Sequence, residues 1–189
     1  IGSNTKSMTV VVLLQLQEQG LLSLDDQLSD WLPEQAAQIP NGDQVTLRQM
    51  ANMATGFWDY ADDLIGGTIE DPDKLEQGYT PEEIIQFAVE NGTPDFLPGE
   101  GWKYSNTNYI LLGMIAEKAS GQPLGQLYQE GIFDPLGMET AVLIEGVPQE
   151  GEITTQGYYW MDDGTVVNTT RWNASSGWAA GANAMDAED

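Results

Sequence analysis

A short apolar segment headed by a serine and a lysine constrains this chain more than any other feature. Residues 8–16 read MTVVVLLQL, and the polar letters QEQ follow before Gly20. Apolar residues on nearly every side predict a helix that is buried all round, and the glycine predicts its C-terminal end. Ser3 and Lys6 stand at the head of this segment. Because side chains at i and i+3 share one helix face, the hydroxyl and the amine are expected to meet.

This serine and lysine admit a chemical and a structural interpretation. Free N–H groups and the positive end of the helix dipole favour developing negative charge at Ser3. Burial lowers the pKa of a lysine, so that a neutral Lys6 can take the proton from Ser3, and Ser-Lys is an established substitute for Ser-His. The alternative is a serine that caps the helix, followed by a solvated lysine. The two residues alone leave both interpretations open.

The composition excludes several kinds of chemistry. The chain of 189 residues contains no histidine and no cysteine. This rules out a Ser-His-Asp triad, histidine or thiolate metal ligation, and disulfides within this stretch. Serine, threonine, lysine, tyrosine and carboxylates remain as catalytic groups. We therefore expect neither a metal nor another cofactor.

The charge of the chain restricts its partners. Thirty acidic residues against six basic ones give a net charge of −24. Such a surface repels phosphate backbones and anionic membrane faces, so nucleic acid and lipid headgroups are poor candidate partners. The apolar fraction of 41% predicts a folded chain, and no apolar run is long enough to span a bilayer. The acidity is compatible with a high-salt habitat and equally with an acidic secreted protein.

Local patterns predict a mostly helical region over residues 1–137 and a mostly extended one over 138–180. The clearest helix start is at Thr80, with Pro81 at the first helical position and Glu83 completing a capping box. Further helices are predicted over 24–33, 46–55, 108–119 and 124–133. A strand is predicted over 141–144, and a hairpin over 156–161 and 165–169 with its turn at 162–164.

A second motif, Tyr104-Ser105-Asn106, follows the first by about a hundred residues. The two motifs in this order resemble the penicillin-recognising serine hydrolases, which comprise D-alanyl-D-alanine carboxypeptidases, class C β-lactamases and related esterases. The flanking segments extend the resemblance over nearly the whole chain. They are GLLSLDD at 20–26, TLRQ at 46–49, PG at 98–99, LGMIAEK at 112–118 and IFDPLGM at 132–138.

The resemblance implies roles for four residues. Ser3 is similar to the acylated nucleophile, Lys6 to its proton partner, Tyr104 to the phenol that relays protons, and Asn106 to the amide that binds the substrate. A tyrosine beside an ammonium has its pKa lowered, which agrees with proton transfer at Tyr104. Taken alone, Tyr104 is equally a half-buried phenol bonded to backbone, and Asn106 an N-cap of the following helix.

Other side chains are weaker candidates for site residues. Trp58, Trp102 and Trp178 are candidates for walls of a substrate cleft, because aromatic residues line concave sites, with ordinary packing as the alternative. The acidic segments 59–63 and 71–73 lack the glycine and terminal glutamate of a calcium loop. We therefore expect them to be solvated surface.

By resemblance the fold is α+β, an antiparallel sheet flanked by helices with a mostly helical second part and the active site between them. The chain is expected to be part of one such domain, cut at both ends. Residues 1–22 would form the nucleophile helix, 23–137 the helical region and 138–189 the return toward the sheet, where Asp186 resembles the N-cap of a further helix.

The family's third motif, Lys/His-Thr/Ser-Gly, does not occur in the 189 residues. That motif supplies the second donor of the oxyanion hole, and loss of one donor costs about a hundredfold to a thousandfold in rate.

The function implied by the resemblance is that of a serine acyl-hydrolase acting through an acyl-enzyme on Ser3. It is expected to be similar to a D-alanyl-D-alanine carboxypeptidase or a β-lactamase, with a small-molecule or peptidoglycan-peptide substrate. The alternatives are an esterase of the same fold or a non-catalytic protein that binds penicillin or peptidoglycan. The resemblance also implies a periplasmic or extracellular location.

Overall fold

The computed structural model describes residues 1–149 and 155–189. Its helices are α1 (Thr5–Glu18), α2 (Leu28–Trp31), α3 (Pro33–Gln38), α4 (Leu47–Ala51), α5 (Ala61–Ile69), α6 (Pro81–Asn91), α7 (Thr107–Ser120), α8 (Leu124–Tyr128), α9 (Asp134–Leu136) and α10 (Trp178–Gly181). Its strands are β1 (Val142–Leu143), β2 (Tyr158–Trp160), β3 (Val166–Asn168) and β4 (Asn183–Ala184). The fold is therefore α+β with helices predominating, as predicted.

Helix α1 follows directly from a 3₁₀ turn, Gly2–Asn4, that contains Ser3. Gly20 has a φ of +72°, which is the left-handed geometry predicted for the end of this helix. The expectation of burial all round is wrong, because Val11 and Leu14 are each 41% exposed. One face of α1 packs on α7 and α10, and these two side chains lie outside that contact.

Helix α7 is the element on which the others pack. All residues from Thr107 to Ala116 are buried, and the helix contacts α1, α4, α6 and α10. A Cβ added at Gly113 would lie 2.6 Å from Cβ of Ala179 and 2.7 Å from the ring of Trp178. The glycine therefore allows α10 to lie directly against α7. Gly121, with φ of +72°, ends the helix.

Capping boxes begin two of the predicted helices. The Thr80 hydroxyl accepts the backbone N–H of Glu83, and the Glu83 carboxylate accepts the N–H of Thr80. Helix α6 consequently begins at Pro81. Thr46 and Gln49 form the same arrangement before α4, but that helix ends at Ala51 rather than near residue 55. Met53 has a φ of +56°, so the backbone there has already left the helical region.

Two predicted helices are interrupted at proline. The helix predicted over 24–33 is present only as α2, which ends at Trp31, and Pro33 occupies the first position of the next helix, α3. The predicted helix over 124–133 divides into α8, a π turn (Gln129–Phe133) and α9. Pro135 has no N–H to donate to the carbonyl of Gly131, and the Gln15 side chain of α1 donates to that carbonyl instead, at 2.8 Å. The turn is thereby attached to α1.

The strands form two antiparallel pairs. β1 pairs with β4, with Val142 opposite Ala184, and β2 pairs with β3 in the predicted hairpin, with Trp160 opposite Val166. The three aromatic residues of β2 are exposed. Residues 185–189 are not helical, although the Asp186 carboxylate accepts the backbone N–H groups of residues 188 and 189.

The segment of α10 and β4 lies beside the start of α1. The amine of Ile1 donates to the carbonyl of Asn183 at 2.7 Å, and the N–H of Asn183 donates to the Thr5 hydroxyl at 3.1 Å. The Thr9 hydroxyl donates to the carbonyl of Ala179 at 2.7 Å. One core cluster extends from Val12 in α1 as far as Ala182. Within the described ranges, no helix combines the length and the apolar character needed to cross a bilayer.

Candidate active site

Ser3 and Lys6 meet at the N-terminal end of α1. The Lys6 Nζ atom lies 3.2 Å from the Ser3 Oγ atom. Ser3 is exposed, whereas Lys6 is only 5% exposed. The alternative of a solvated lysine is therefore wrong. The hydroxyl faces solvent, where a substrate can reach it, and the amine lies behind it.

The Lys6 amine is surrounded by oxygen atoms and aromatic rings. Besides Ser3, it contacts Oδ1 of Asn106 at 2.6 Å and the carbonyl oxygen of Ala180 at 2.7 Å. It also lies 4.9 Å from the ring centroid of Tyr104 and 5.5 Å from that of Tyr109. Burial lowers the pKa of Lys6 below its usual value, while Tyr104 and, more weakly, a nearby carboxylate act in the opposite direction.

Tyr104 contacts the serine from the other side. Its hydroxyl donates to Oγ of Ser3 at 2.6 Å, so the phenol bonds a side chain and not, as the alternative had it, the backbone. The two residues that flank Asn106, Ser105 and Thr107, hold the motif in place by donating to the carbonyl of Trp58 at 3.3 and 2.6 Å. The buried hydroxyl of Thr55, in the segment that precedes Trp58, donates to the side-chain oxygen of Asn108 in α7. This hydrogen bond attaches that segment to the helix.

Asn106 is the third partner that the motifs bring to Lys6. It precedes the first residue of α7, but its side chain makes no capping hydrogen bond, so the N-cap alternative is wrong for the amide group. The amide oxygen accepts from Lys6. The amide nitrogen donates to both carboxylate oxygens of Asp59, at 3.0 Å each. Both ends of this amide are thus engaged within the protein.

Asp59 is a site residue that sequence reasoning missed. It was expected to be solvated surface, yet it is half-buried and bonds both the backbone N–H and the side chain of Asn106. The sequence signal is slight. Asp59 stands between Trp58 and the fully buried Tyr60, whereas Asp62 and Asp63 of the same segment are exposed.

The three tryptophans proposed as cleft walls differ in their surroundings. The indole of Trp58 packs against Phe87, with ring centroids 6.3 Å apart, and against Gly92. Trp178 is 6% exposed, because its ring lies on Gly113 of α7, so it is a core residue and the cleft-wall interpretation is wrong for it. Trp102 is 67% exposed and lies two residues before Tyr104.

The site therefore holds an exposed hydroxyl between a buried amine and a phenol. Such a group provides a nucleophile with two adjacent proton carriers, which is the arrangement of an acyl-transferring serine enzyme. The comparison with known proteins agrees. The family described as Beta-lactamase matches residues 1–189, and the chain belongs to it. The resemblance seen in the two sequence motifs is thereby confirmed.

Solved structures confirm the β-lactamase-like fold. A D-stereospecific amidohydrolase from Streptomyces sp. superposes with a TM-score of 0.92 at 31% identity, over 100% of this chain and 57% of that chain. A D-amino acid amidase from Ochrobactrum anthropi SV3, in complex with L-phenylalanine, gives a TM-score of 0.80 at 32% identity, over 97% of this chain and 49% of that one.

Among curated relatives, penicillin-binding protein 4* of Bacillus subtilis is 34% identical over 143 residues, which are 75% of this chain and 30% of the relative. The chain thus spans about a third of the length of that relative. Other relatives are named as an esterase, a putative D-alanyl-D-alanine carboxypeptidase and D-aminopeptidases. These members of the family are hydrolases.

Proposed function

We propose that the protein is a serine acyl-hydrolase that works through an acyl-enzyme on Ser3. The observation that carries this proposal is the position of Ser3 Oγ, 3.2 Å from the amine of Lys6 and 2.6 Å from the hydroxyl of Tyr104. Both distances place a proton carrier next to the nucleophilic oxygen. Membership of a family with hydrolase names supports the same activity.

The surroundings of Lys6 suit a general base. A neutral amine has two N–H donors and one lone pair. The oxygens of Ala180 and Asn106 can only accept, so they take both N–H groups, and the lone pair is left for the hydroxyl of Ser3. Burial of the amine favours this neutral form. After the proton has moved, the ammonium has three oxygen acceptors.

The reaction then proceeds in two halves. Ser3 Oγ bonds to the carbonyl carbon of the substrate and passes its proton to Lys6. When the bond to the leaving group breaks, the leaving atom takes a proton from the Tyr104 hydroxyl. Lys6 then donates a proton to the Tyr104 oxygen. Water then adds to the ester, its proton returns by the same groups, and release of the acid restores Ser3.

For the substrate we propose an amide that carries a D-amino acid residue. Two well-matched structures, at 31% and 32% identity, are named as a D-stereospecific amidohydrolase and a D-amino acid amidase. A D-alanyl-D-alanine peptide belongs to the same chemical class, so this proposal includes the carboxypeptidase-like activity. The β-lactamase-like and esterase activities and non-catalytic penicillin binding are the competing outcomes.

We also propose a place for the chain within its domain and its cell. Residues 1–189 form part of one β-lactamase-like domain, in which 1–22, 23–137 and 138–189 are the nucleophile helix, the helical region and the return toward the sheet. The single core cluster that links α1 to Ala182 supports one domain. Kinship with penicillin-binding proteins supports a periplasmic or extracellular location.

The test is intact-mass spectrometry of the full-length protein after incubation with a fluorescent penicillin. We expect a covalent adduct that is absent from the Ser3→Ala variant. Ser7→Ala is the matched control, because it removes a hydroxyl one helical turn away and is expected to leave the adduct unchanged. A chromogenic D-amino acid anilide and its L-enantiomer then test the substrate class. No adduct with penicillin and no turnover of amide or ester would overturn the proposal.

A further inference from the structure

Asp59 makes three contacts with Asn106, one with its backbone N–H and two with its side-chain amide. Its Oδ1 atom accepts the backbone N–H of Asn106 at 3.1 Å, and both of its oxygens lie 3.0 Å from Nδ2 of the same residue. Oδ1 also accepts the backbone N–H of Ala61, two residues further along the chain, at 3.2 Å. The carboxylate thus joins the start of α5 to the residue that precedes α7.

The backbone around Asp59 is fixed independently of this contact. The carbonyl of Trp58 accepts the hydroxyls of Ser105 and Thr107, on either side of Asn106. The next residue, Tyr60, is fully buried and donates its hydroxyl to the carbonyl of Ser176. Asp59 therefore lies between two anchored residues and is held opposite Asn106.

An ionised carboxylate can only accept hydrogen bonds, and this decides which way the amide points. With Nδ2 directed at Asp59, the amide oxygen is directed at Lys6, where it lies 2.6 Å from Nζ. The reversed amide would bring its oxygen against the carboxylate, and that contact would be repulsive. It would also present its NH₂ group to Lys6, where it would compete with the Ser3 hydroxyl for the lone pair of the amine. Asp59 therefore selects one of the two orientations.

We propose that Asp59 is a positioning residue that locks the Asn106 amide with its oxygen toward Lys6, so that the lone pair of Lys6 is kept for Ser3. The proposal rests on the proposed acyl-enzyme function. Asp59 itself does not contact the reacting atoms. It acts through Asn106, and without it the amide is free to present a donor to the amine.

Asp59 also has an electrostatic effect on the same amine. Among the described residues, the titratable groups that face Lys6 are Tyr104, Tyr109 and Asp59. The Lys6 amine lies over the rings of the two tyrosines. The negative charge of Asp59 raises the pKa of Lys6, which opposes the effect of burial. Removing the charge therefore lowers the pKa of Lys6 further. On the acidic limb of the pH–rate profile the rate falls because the amine becomes protonated. This limb is expected to move to lower pH.

The experiment compares Asp59→Asn with the matched control Asp62→Asn, which removes an exposed carboxylate from the same segment. Both are made in the full-length protein, and the rate of adduct formation with a fluorescent penicillin is followed against pH. For Asp59→Asn we expect a rate lower by about a hundredfold, as for a misplaced catalytic group, together with the shift of the acidic limb. The control is expected to match the wild type in both respects.

A double-variant cycle separates positioning from general damage. If Asp59 acts through Asn106, Asp59→Asn adds little to the loss caused by Asn106→Ala, and the two losses do not multiply. Asp59→Glu keeps a carboxylate and is expected to react faster than Asp59→Asn. Thermal unfolding confirms that each variant is folded, and Asp59→Ala replaces the Asn variant if that one does not fold.

Each outcome tests either the role of Asp59 or the acyl-enzyme function. Multiplying losses in the double variant, or an unshifted acidic limb in a folded Asp59→Asn protein, would overturn the role of Asp59. If the wild-type protein itself forms no adduct, the acyl-enzyme proposal fails instead. The wild-type reaction therefore distinguishes the two failures.

Discussion

The hydroxyl of Tyr104 donates to Oγ of Ser3 at 2.6 Å, although 101 positions of sequence separate the two residues. The phenol belongs to the loop before α7, and the serine to the turn before α1. Because α1 and α7 pack directly on each other, their N-terminal ends bring the two hydroxyl groups together. The site is thus formed where two helices begin side by side.

Replacement of Tyr104 by phenylalanine tests the proton relay. Proton transfer by a positioned side chain contributes about a hundredfold to ten-thousandfold to rate, so Tyr104→Phe is expected to slow adduct formation by a factor in that range. The measurement is the rate constant for reaction with a fluorescent penicillin. Tyr158→Phe is the control, because it removes a hydroxyl from an exposed tyrosine of the hairpin. Equal rates for the two variants would contradict the relay.

The lowered pKa of Lys6 predicts how the rate depends on pH. The amine accepts a proton only when it is neutral, so the rate is expected to rise with pH to a plateau. The midpoint is expected below 10.5, the usual value for lysine. The pH profile of adduct formation measures this midpoint. A profile that continues to rise through that pH would show that Lys6 is not the base.

The same pKa predicts a dependence of stability on pH. Between the folded pKa of Lys6 and 10.5, the unfolded chain binds a proton that the folded protein does not, so stability should rise with pH in that window. Below the folded pKa, the cost of burying the ammonium is fully present. Chemical denaturation of Lys6→Met should show a weaker rise than the wild type. Lys118→Met, at an exposed lysine, should keep the wild-type dependence.

Gly113 is expected to tolerate no side chain. In Gly113→Ala the new Cβ would lie 2.6 Å from Cβ of Ala179, so α10 must move or the core must strain. Overpacking of this kind costs about 1–3 kcal/mol in the free energy of unfolding. Because the carbonyl of Ala180 holds Lys6, adduct formation should also slow. Gly66→Ala in α5 has open space around its Cβ, and denaturant unfolding should find it at least as stable as the wild type.

Thr9 supports the same segment by a buried hydroxyl. It donates to the carbonyl of Ala179 and lies 2.7 Å from the hydroxyl of Tyr128. Thr9→Val keeps the shape but leaves both partners without this bond, which should cost about 1–3 kcal/mol in denaturant unfolding. Thr93→Val, which removes the hydroxyl of an exposed threonine, is the control. A difference of less than about 0.5 kcal/mol between the two would contradict the role of Thr9.

Local chemistry made much of the fold predictable. The capping box at Thr80 fixes the start of α6, and the glycines at 20 and 121 end α1 and α7, because these signals act within one helical turn. The two motifs likewise contain Ser3, Lys6 and Tyr104, and the side chains of the last two lie within hydrogen-bond distance of the Ser3 hydroxyl in the structure. Their spacing carries chemical information that does not depend on the rest of the chain.

The parts that sequence reasoning missed depend on distant partners. The break between α8 and α9 involves Gln15 of α1, and the burial of Asp59 involves Asn106, 47 positions away. In the sequence, Asp59 cannot be told apart from the exposed Asp62 and Asp63 of the same segment. Only the position of residues 58–60 beside the start of α7 distinguishes it, and no local pattern records that contact.

Two of the acceptors of Lys6 lie far from it along the sequence. Asn106 is 100 positions away and Ala180 is 174 positions away. During synthesis Ser3 and Lys6 leave the ribosome before Asn106 and Ala180, and at that stage the lysine is an ordinary solvated cation beside an ordinary hydroxyl. The amine is desolvated and oriented only after residue 180 has been synthesised and has folded back onto α1. Reactivity is therefore a late product of folding, and an unfinished chain carries an inert serine.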